Sequence, residues 1–367
     1  MSLDPLHENT AIAVDGGGIK GLIVVRALVA LEEALGVESL IELRQLKVLS
    51  GTSTGAIITA AIAVGMGAQE ITDLYLSAGR TVFPPLLPAW IPSSVLSVYK
   101  RVLGLFKPAV YPNDTLKKLL RDAFARQTGD PDITLGDLKK RLREDQALII
   151  TVADILARRT RFLKTYDDKD GDWKLWEAVM ASSAAPTLLP VLERPDSSGK
   201  IRYYTDGGVG SYANPAYVAA RETVEWQKYD PSTVSVLSFG TGWVDEKNFE
   251  RAVGKPSSWK ILDWATNAIL LMLGDADRAQ SLDVIYDYVV RRMDFRRFQI
   301  LLGEDIGMDD TSEAAMTRML KLGEVMGERI VNNQHALGKD PGFDPEGLRQ
   351  AVIRYRESLR RRRETSG

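Results

Sequence analysis

Ser53 stands at the centre of Gly51-Thr52-Ser53-Thr54-Gly55, a G-x-S-x-G pattern set between an apolar strand candidate and an alanine- and isoleucine-rich helix candidate. A sharp strand-to-helix turn forces such a serine into strained backbone angles and points its hydroxyl outward. Side chains at Gly51 or Gly55 would clash across that turn. The following helix aims its positive N-terminus at the oxygen where negative charge develops in acyl transfer. Ser53 is therefore a candidate nucleophile; the alternative is a glycine-rich turn that happens to hold a serine.

A second glycine-rich segment, Asp15-Gly16-Gly17-Gly18-Ile19-Lys20-Gly21, follows the first strand candidate and opens the first helix. Backbone amides unobstructed by side chains can converge there on an anion. One use is an oxyanion hole. Another is a dinucleotide site, because Gly16, Gly18 and Gly21 also satisfy G-x-G-x-x-G. A third is a tight turn. The dinucleotide reading needs an acidic residue at the end of the second strand to hold a ribose. Glu38 and Glu42 precede that strand, which instead ends in Ser50-Gly51 and the serine turn. The loop also lacks the GK[ST] ending of a phosphate-binding P-loop. An oxyanion hole beside a nucleophile fits better.

The nucleophile needs a base. The chain has only two histidines, His7 in a polar leader and His335 near the end of a helical pattern. The order Ser53, Asp206, His335 matches that of Ser-Asp-His triads, and a helix-capping role is the plain alternative for His335. Asp206 lies in Tyr203-Tyr204-Thr205-Asp206-Gly207-Gly208, where the glycines permit close backbone approach. Its carboxylate could reach a hydroxyl with no imidazole between them, and partial burial would make it a stronger base. An Asx turn before the glycines is its structural alternative.

Together these elements resemble the patatin-like phospholipase family. The matching segments are Asp15 to Gly21, Gly51 to Gly55 and Asp206-Gly207-Gly208, with Ala181 to Pro186 and Asn214-Pro215 similar as well. The resemblance runs from about residue 11 to 240 in the expected order, and nothing is carried over beyond about 255. It implies a Ser53–Asp206 dyad without histidine. It also implies an oxyanion hole drawn from Gly16, Gly17, Gly18 and Lys20, and release of fatty acids from membrane glycerolipids with no metal or cofactor. Lys20 stands where many relatives carry arginine; it keeps the charge and loses the planar fork. Some bacterial relatives are switched on by cyclic nucleotides, so the resemblance allows a small-molecule activator. A Ser-His-Asp esterase, a nicotinamide-dependent oxidoreductase and a non-catalytic lipid-binding protein remain as alternatives.

Strand candidates at Ala11–Val14, Lys47–Leu49, Ala147–Val152, Thr160–Thr165 and Val234–Phe239 alternate with helical patterns at Ile19–Leu35, Asn113–Phe124, Trp173–Ser183 and Pro215–Gln227. That alternation predicts a three-layer α/β fold, with a mostly parallel sheet covered by helices on both faces. After about residue 255 the pattern is mainly helical, with a weaker strand candidate at Arg297–Leu302. The expected organisation is a catalytic core over 1–255 and a C-terminal region over 256–367, packed as one domain.

The chain of 367 residues is 45% hydrophobic and 26% charged, with a formal net charge of −2, so nothing in bulk points to a nucleic-acid polymer. Absence of cysteine removes disulfides and thiolate chemistry. Met1 to Thr10 does not read as a signal peptide, and Gly55 to Ala68 is too short to span a bilayer. The expectation is a cytoplasmic protein that meets a phospholipid membrane peripherally. Arg80 to Asn113 lacks acidic residues, carries Arg80, Lys100, Arg101 and Lys107, and is rich in large apolar residues and proline. It reads either as a lid against a lipid surface or as a core-packed connection. The run Arg360–Arg363 reads as a solvated helix end. Oligomeric state is not legible.

Overall fold

The structure is a computed structural model that describes residues 3–86 and 109–335, with single positions from 350 onward. Most of the expected lid and of the C-terminal arginine run lies outside the described residues. The chain opens with β1 (Asn9–Val14), α1 (Gly21–Leu35), β2 (Leu46–Thr52), α2 (Thr54–Ala63) and α3 (Ala68–Val82). Every residue of β1 and β2 is buried, as expected of strands covered on both faces. Next come α4 (Asp114–Thr128), α5 (Leu135–Arg141), β3 (Ala147–Asp154), β4 (Arg159–Lys164), α6 (Leu175–Ser183), β5 (Leu192–Pro195) and β6 (Ile201–Asp206). The remainder is α7 (Ala216–Arg221), β7 (Val234–Phe239), α8 (Glu246–Val253), α9 (Ile261–Asp287), β8 (Asp294–Phe298) and α10 (Glu313–Val331).

The sheet order is β5-β6-β3-β2-β1-β7-β8, with β4 paired to β3 off that path. β3, β2, β1, β7 and β8 pair parallel, while β4 and β6 pair antiparallel with β3, and β5 pairs antiparallel with β6. The period-2 alternation of strands sorts their side chains to two cores. Ile12, Val14 and Leu49 pack with α1, α2 and α6 residues, whereas Ala11, Ala13 and Val48 pack with Ala219 of α7 and Val284 of α9. The three-layer α/β architecture is thus as the patterns predict. β8 starts three residues earlier than the weak candidate did, and β5 had no counterpart, since Leu192–Pro195 is a short edge strand containing proline. Among the described residues no helix is long and apolar enough to cross a membrane.

One feature of the register places the site. β4 pairs with β3 over Ile149–Asp154, and β2 pairs with β3 over Ala147–Thr151. A strand has two edges, so β2 and β4 take opposite ones. β6 pairs with Val152–Asp154, residues whose other edge β4 already occupies. β6 must therefore continue the column that β2 leaves, running in the opposite direction. The two strands meet end to end, Thr52 opposite Thr151 and Asp206 opposite Val152.

α10 lies along α1, closely enough that a Cβ on Gly323 would stand 2.6 Å from Arg26 Cβ and 2.8 Å from the Ile23 carbonyl oxygen. We expect Gly323→Leu to lower the unfolding free energy by about 2 kcal/mol through overpacking, although leucine is the better helix former. A urea melt compared with wild type checks this; an unchanged midpoint would mean that the helices can separate freely.

Candidate active site

Ser53 is the residue between β2 and α2, with φ 56 and ψ −124. A non-glycine residue there carries strain of about 1–3 kcal/mol, which the surroundings must over-determine. They do so through the backbone. The Ser53 amide donates to Ser182 Oγ at 2.9 Å, and Ser182 Oγ donates to the Thr151 carbonyl at 2.7 Å. Ser183 Oγ donates to the Ser53 carbonyl at 3.3 Å. α2 starts against the end of β1 so closely that a Cβ on Gly55 would lie 2.0 Å from the Val14 carbonyl oxygen. Gly51 in turn faces the Gly55 carbonyl, at 2.3 Å from its own virtual Cβ.

Asp206 arrives from the opposite direction along the β3 edge. Its carboxylate faces the Ser53 hydroxyl, which works to lower its pKa, and Oδ1 accepts the Gly208 amide at 2.8 Å. Both residues are buried. Burial raises the Asp206 pKa to about 6, opposed by the hydrogen bonds from Ser53 and Gly208. Gly207 is packed against the Thr151 carbonyl, which fixes the turn directly after the carboxylate.

The glycine loop closes the third side. Gly16 touches Ser53, with a virtual Cβ 3.2 Å from the serine Cβ. Its amide, however, donates to the Ala213 carbonyl at 2.9 Å, so Gly16 is not available as an oxyanion donor and that expectation is corrected. The Lys20 amide is likewise taken, by Gly17 O at 3.3 Å, and its side chain instead lines the cavity. Burial lowers the Lys20 pKa, opposed by Asp305. The amides of Gly17 and Gly18 have no hydrogen-bond partner among the described residues. Gly18 has φ 62, and the Met308 carbonyl is packed where its Cβ would be, while the Ile19 amide donates to that same carbonyl at 2.8 Å. Gly21 packs against Thr54 and Tyr75 at the start of α1.

Ser53, Asp206, Gly17 and Gly18 border one cavity of about 900 Å³. Its lining includes the apolar side chains of Ile57, Leu74, Val82, Phe83, Leu116 and Leu120 and the polar residues Thr241, Asn267, Asp277 and Gln299.

A family model described as Patatin-like phospholipase matches residues 12–220. The chain belongs to the patatin-like phospholipase family. It is 27% identical to Patatin-like protein 1 from Oryza sativa subsp. indica over 361 residues, covering 88% of this chain and 82% of the relative. It is 25% identical to a cGAMP-activated phospholipase from Vibrio cholerae serotype O1, over 63% of each chain. Among solved structures it is similar to VipD from Legionella pneumophila, with a TM-score of 0.46 and 16% identity over 90% of this chain and 68% of that one.

This patatin-like phospholipase does not bring either histidine to Ser53. His7 donates its amide to Ser235 Oγ at 3.0 Å, at the start of β7. His335 is grouped with Asp294, Arg296 and Asp4; burial lowers its pKa and Asp294 opposes the shift. Asp294 opens β8, so both histidines stand at the amino ends of the parallel strands and Ser53 at the carboxyl ends. The triad order in the sequence has no counterpart in space.

Other residues of the site were not singled out by sequence. Arg297 of β8 is almost wholly buried; its Nη1 donates to Asp15 Oδ1 at 2.9 Å and to Ser238 Oγ at 2.8 Å, and its Nη2 to Asp277 Oδ1 at 2.6 Å. Burial raises the Asp15 pKa, Arg297 lowers it and Asp277 raises it again. Asn214, of the Asn-Pro pair, holds Asp277 from the other side with Nδ2 at 3.0 Å from Oδ1. Thus the first residue of the glycine loop is anchored by an arginine outside the family match. Replacing Arg297 by methionine strands two carboxylates, one deeply buried, and should cost about 3–5 kcal/mol. The Arg297→Met/Asp15→Asn pair should cost less than the sum of the singles, measured as denaturant unfolding; strict additivity would mean that the two groups do not interact.

Proposed function

We propose that the chain is a serine lipid acyl hydrolase of the phospholipase A or lysophospholipase type, working through a Ser53–Asp206 dyad at a phospholipid surface. The observation that carries this reading is the end-to-end meeting of β2 and β6, which sets the Ser53 hydroxyl against a buried carboxylate beside two unengaged glycine amides. Asp206 accepts the Ser53 proton as Oγ attacks the ester carbonyl, and the Gly17 and Gly18 amides receive the developing oxyanion. The alcohol leaves with the proton. Asp206 then activates water, which releases the fatty acid and regenerates the serine. The apolar part of the cavity lining suits an acyl chain, and its polar residues a headgroup.

The lysine side chain at the cavity supports a looser electrostatic role than an arginine fork would have. Relatives named cGAMP-activated phospholipases support a gate operated by a cyclic dinucleotide. No metal or cofactor enters the reaction as written.

The test is fatty-acid release from mixed phospholipid vesicles. Ser53→Ala and Asp206→Asn should each lose at least about a thousandfold, and His335→Ala should keep wild-type release. Release surviving Ser53→Ala would overturn the dyad, and dependence on His335 would reinstate a triad. If the wild type is silent alone, added cyclic dinucleotide should switch it on; silence in both conditions would leave a binding protein.

The base must be ionised to accept a proton. Because burial holds Asp206 at about 6, kcat/KM should be flat above that pH and fall about tenfold per unit below it. A pH–rate profile with its acid limb near 4 would mean that the group it reports is an exposed carboxylate and not the buried Asp206.

A further inference from the structure

We propose that the paired tips of the β3–β4 and β5–β6 hairpins are the face that docks on an anionic lipid bilayer, a proposal that rests on the lipid-hydrolase reading and adds the orientation to it. The register determines where these tips point. Asp206 is level with Val152, so Ile155 lies three residues beyond it along the sheet and Ile201 five. At roughly 3.3 Å per residue, the tips stand on the order of 10–17 Å beyond the dyad, off the same carboxyl-terminal side of the sheet. Their base adjoins the cavity wall, since Thr160 Oγ1 donates to the Gly210 carbonyl at 2.7 Å and the neighbouring Val209 lines the cavity.

Their chemistry is that of an interface. Ile155, Leu156 and Ile201 are 42%, 50% and 42% exposed, three large aliphatic side chains on adjoining tips. Arg158, Arg159 and Lys200 are exposed among them, and none makes an ion pair among the described residues. Of the adjacent acids, Asp154 is buried and Asp196 is engaged by the backbone of its own turn. Asp154 Oδ2 accepts from Arg202 at 2.6 Å and its Oδ1 from the Ala157 amide at 3.0 Å. Asp196 Oδ1 accepts the amides of Ser198 and Lys200 at 2.9 and 3.1 Å. Apolar side chains beside exposed cations that make no direct ion pair among the described residues match an acyl boundary topped by anionic headgroups.

The tips are also held in shape before any contact is made. The Ile155 amide donates to the Tyr203 carbonyl at 3.0 Å, which joins the two hairpins, and the Arg158 amide donates to the Ile155 carbonyl at 3.3 Å. Arg158 has φ 51, a left-handed position inside that turn. The apolar pair therefore needs little ordering on docking.

The test uses the full chain carrying Ser53→Ala, so that vesicles stay intact, in co-sedimentation with phosphatidylcholine vesicles with and without phosphatidylglycerol. Each arginine near an anionic surface is worth roughly fivefold in partition. Arg158→Glu/Arg159→Glu should lower binding to the anionic vesicles at least about tenfold and abolish its salt dependence, and Leu156→Asp should lower it on both vesicle types. With Ser53 restored, both variants should hydrolyse a monomeric short-chain ester at the wild-type rate. That control separates docking from catalysis: a wild type inert on the monomeric ester defeats the hydrolase reading but leaves the binding result standing. Partition within twofold of wild type in the charge and apolar variants overturns the docking proposal and assigns the patch to a protein partner.

Discussion

β3 lends a single edge to two strands that approach each other head on, and the candidate site is what forms where they meet. β2 runs up that edge as far as Thr151, and β6 comes down it as far as Val152. Neither strand can extend without displacing the other, so both chains must leave the sheet at the same height. β2 leaves through Ser53 into α2, and β6 leaves through Asp206 into a tight turn at Gly207. A hydroxyl and a carboxylate from residues 153 positions apart are thereby placed together by backbone pairing, not by a chain of side chains. In the proposed dyad, no imidazole has to span a gap between them.

The meeting point is held at some cost to the fold. Ser53 stores about 1–3 kcal/mol of backbone strain. Asp206, raised from 3.8 to about 6, costs on the order of 3 kcal/mol when ionised, a penalty absent below pH 4 and complete above about 6. Opposing these are the strands themselves, buried on both faces, and the serine pair of α6 that grips the Ser53 backbone on both its amide and its carbonyl. Each such bond contributes about 1 kcal/mol. The strain is therefore carried by a few identifiable contacts at the end of α6, where Ala181-Ser182-Ser183-Ala184 supplies small side chains that fit between β2 and β6.

Much of this was legible in the sequence because it depends on local pattern. Glycines at fixed offsets, buried apolar runs and their alternation with helical spacing reveal the serine turn, the glycine loop and the three-layer fold. Corrections came where a backbone group had a partner from far away. Gly16 reads like its neighbours in the loop, yet among the described residues only Gly17 and Gly18 keep amides without a partner, because Ala213 claims the amide of Gly16. His335 follows Ser53 and Asp206 in triad order, yet the direction of β8 carries it to the opposite end of the sheet. In the sequence Arg297 is marked only as the first residue of a weak strand candidate, with no role in the site, and it is the position of β8 beside β7 that buries it against Asp15.

Arg297 also alters what the C-terminal part of the chain does. The glycine loop is touched on three sides by residues from beyond position 240: Arg297 on Asp15, Thr241 on the Gly16 carbonyl, and Met308 on Gly18 and Ile19. A glycine-rich loop has little to stiffen it from within, since glycine loses more conformational freedom on ordering than any other residue. For the proposed oxyanion hole, two amides need to be held to within about half an ångström, so the stiffness has to come from the partners. Those partners are a buried guanidinium shared by two carboxylates, a hydroxyl and a carbonyl, all on elements after β7. The glycine loop is thus encoded near residue 16 and held in place near residue 300. A ligand or surface that shifts α9 or the segment around Met308 would therefore act on the loop directly, through Asp277 or through the Met308 carbonyl, without touching Ser53 or Asp206.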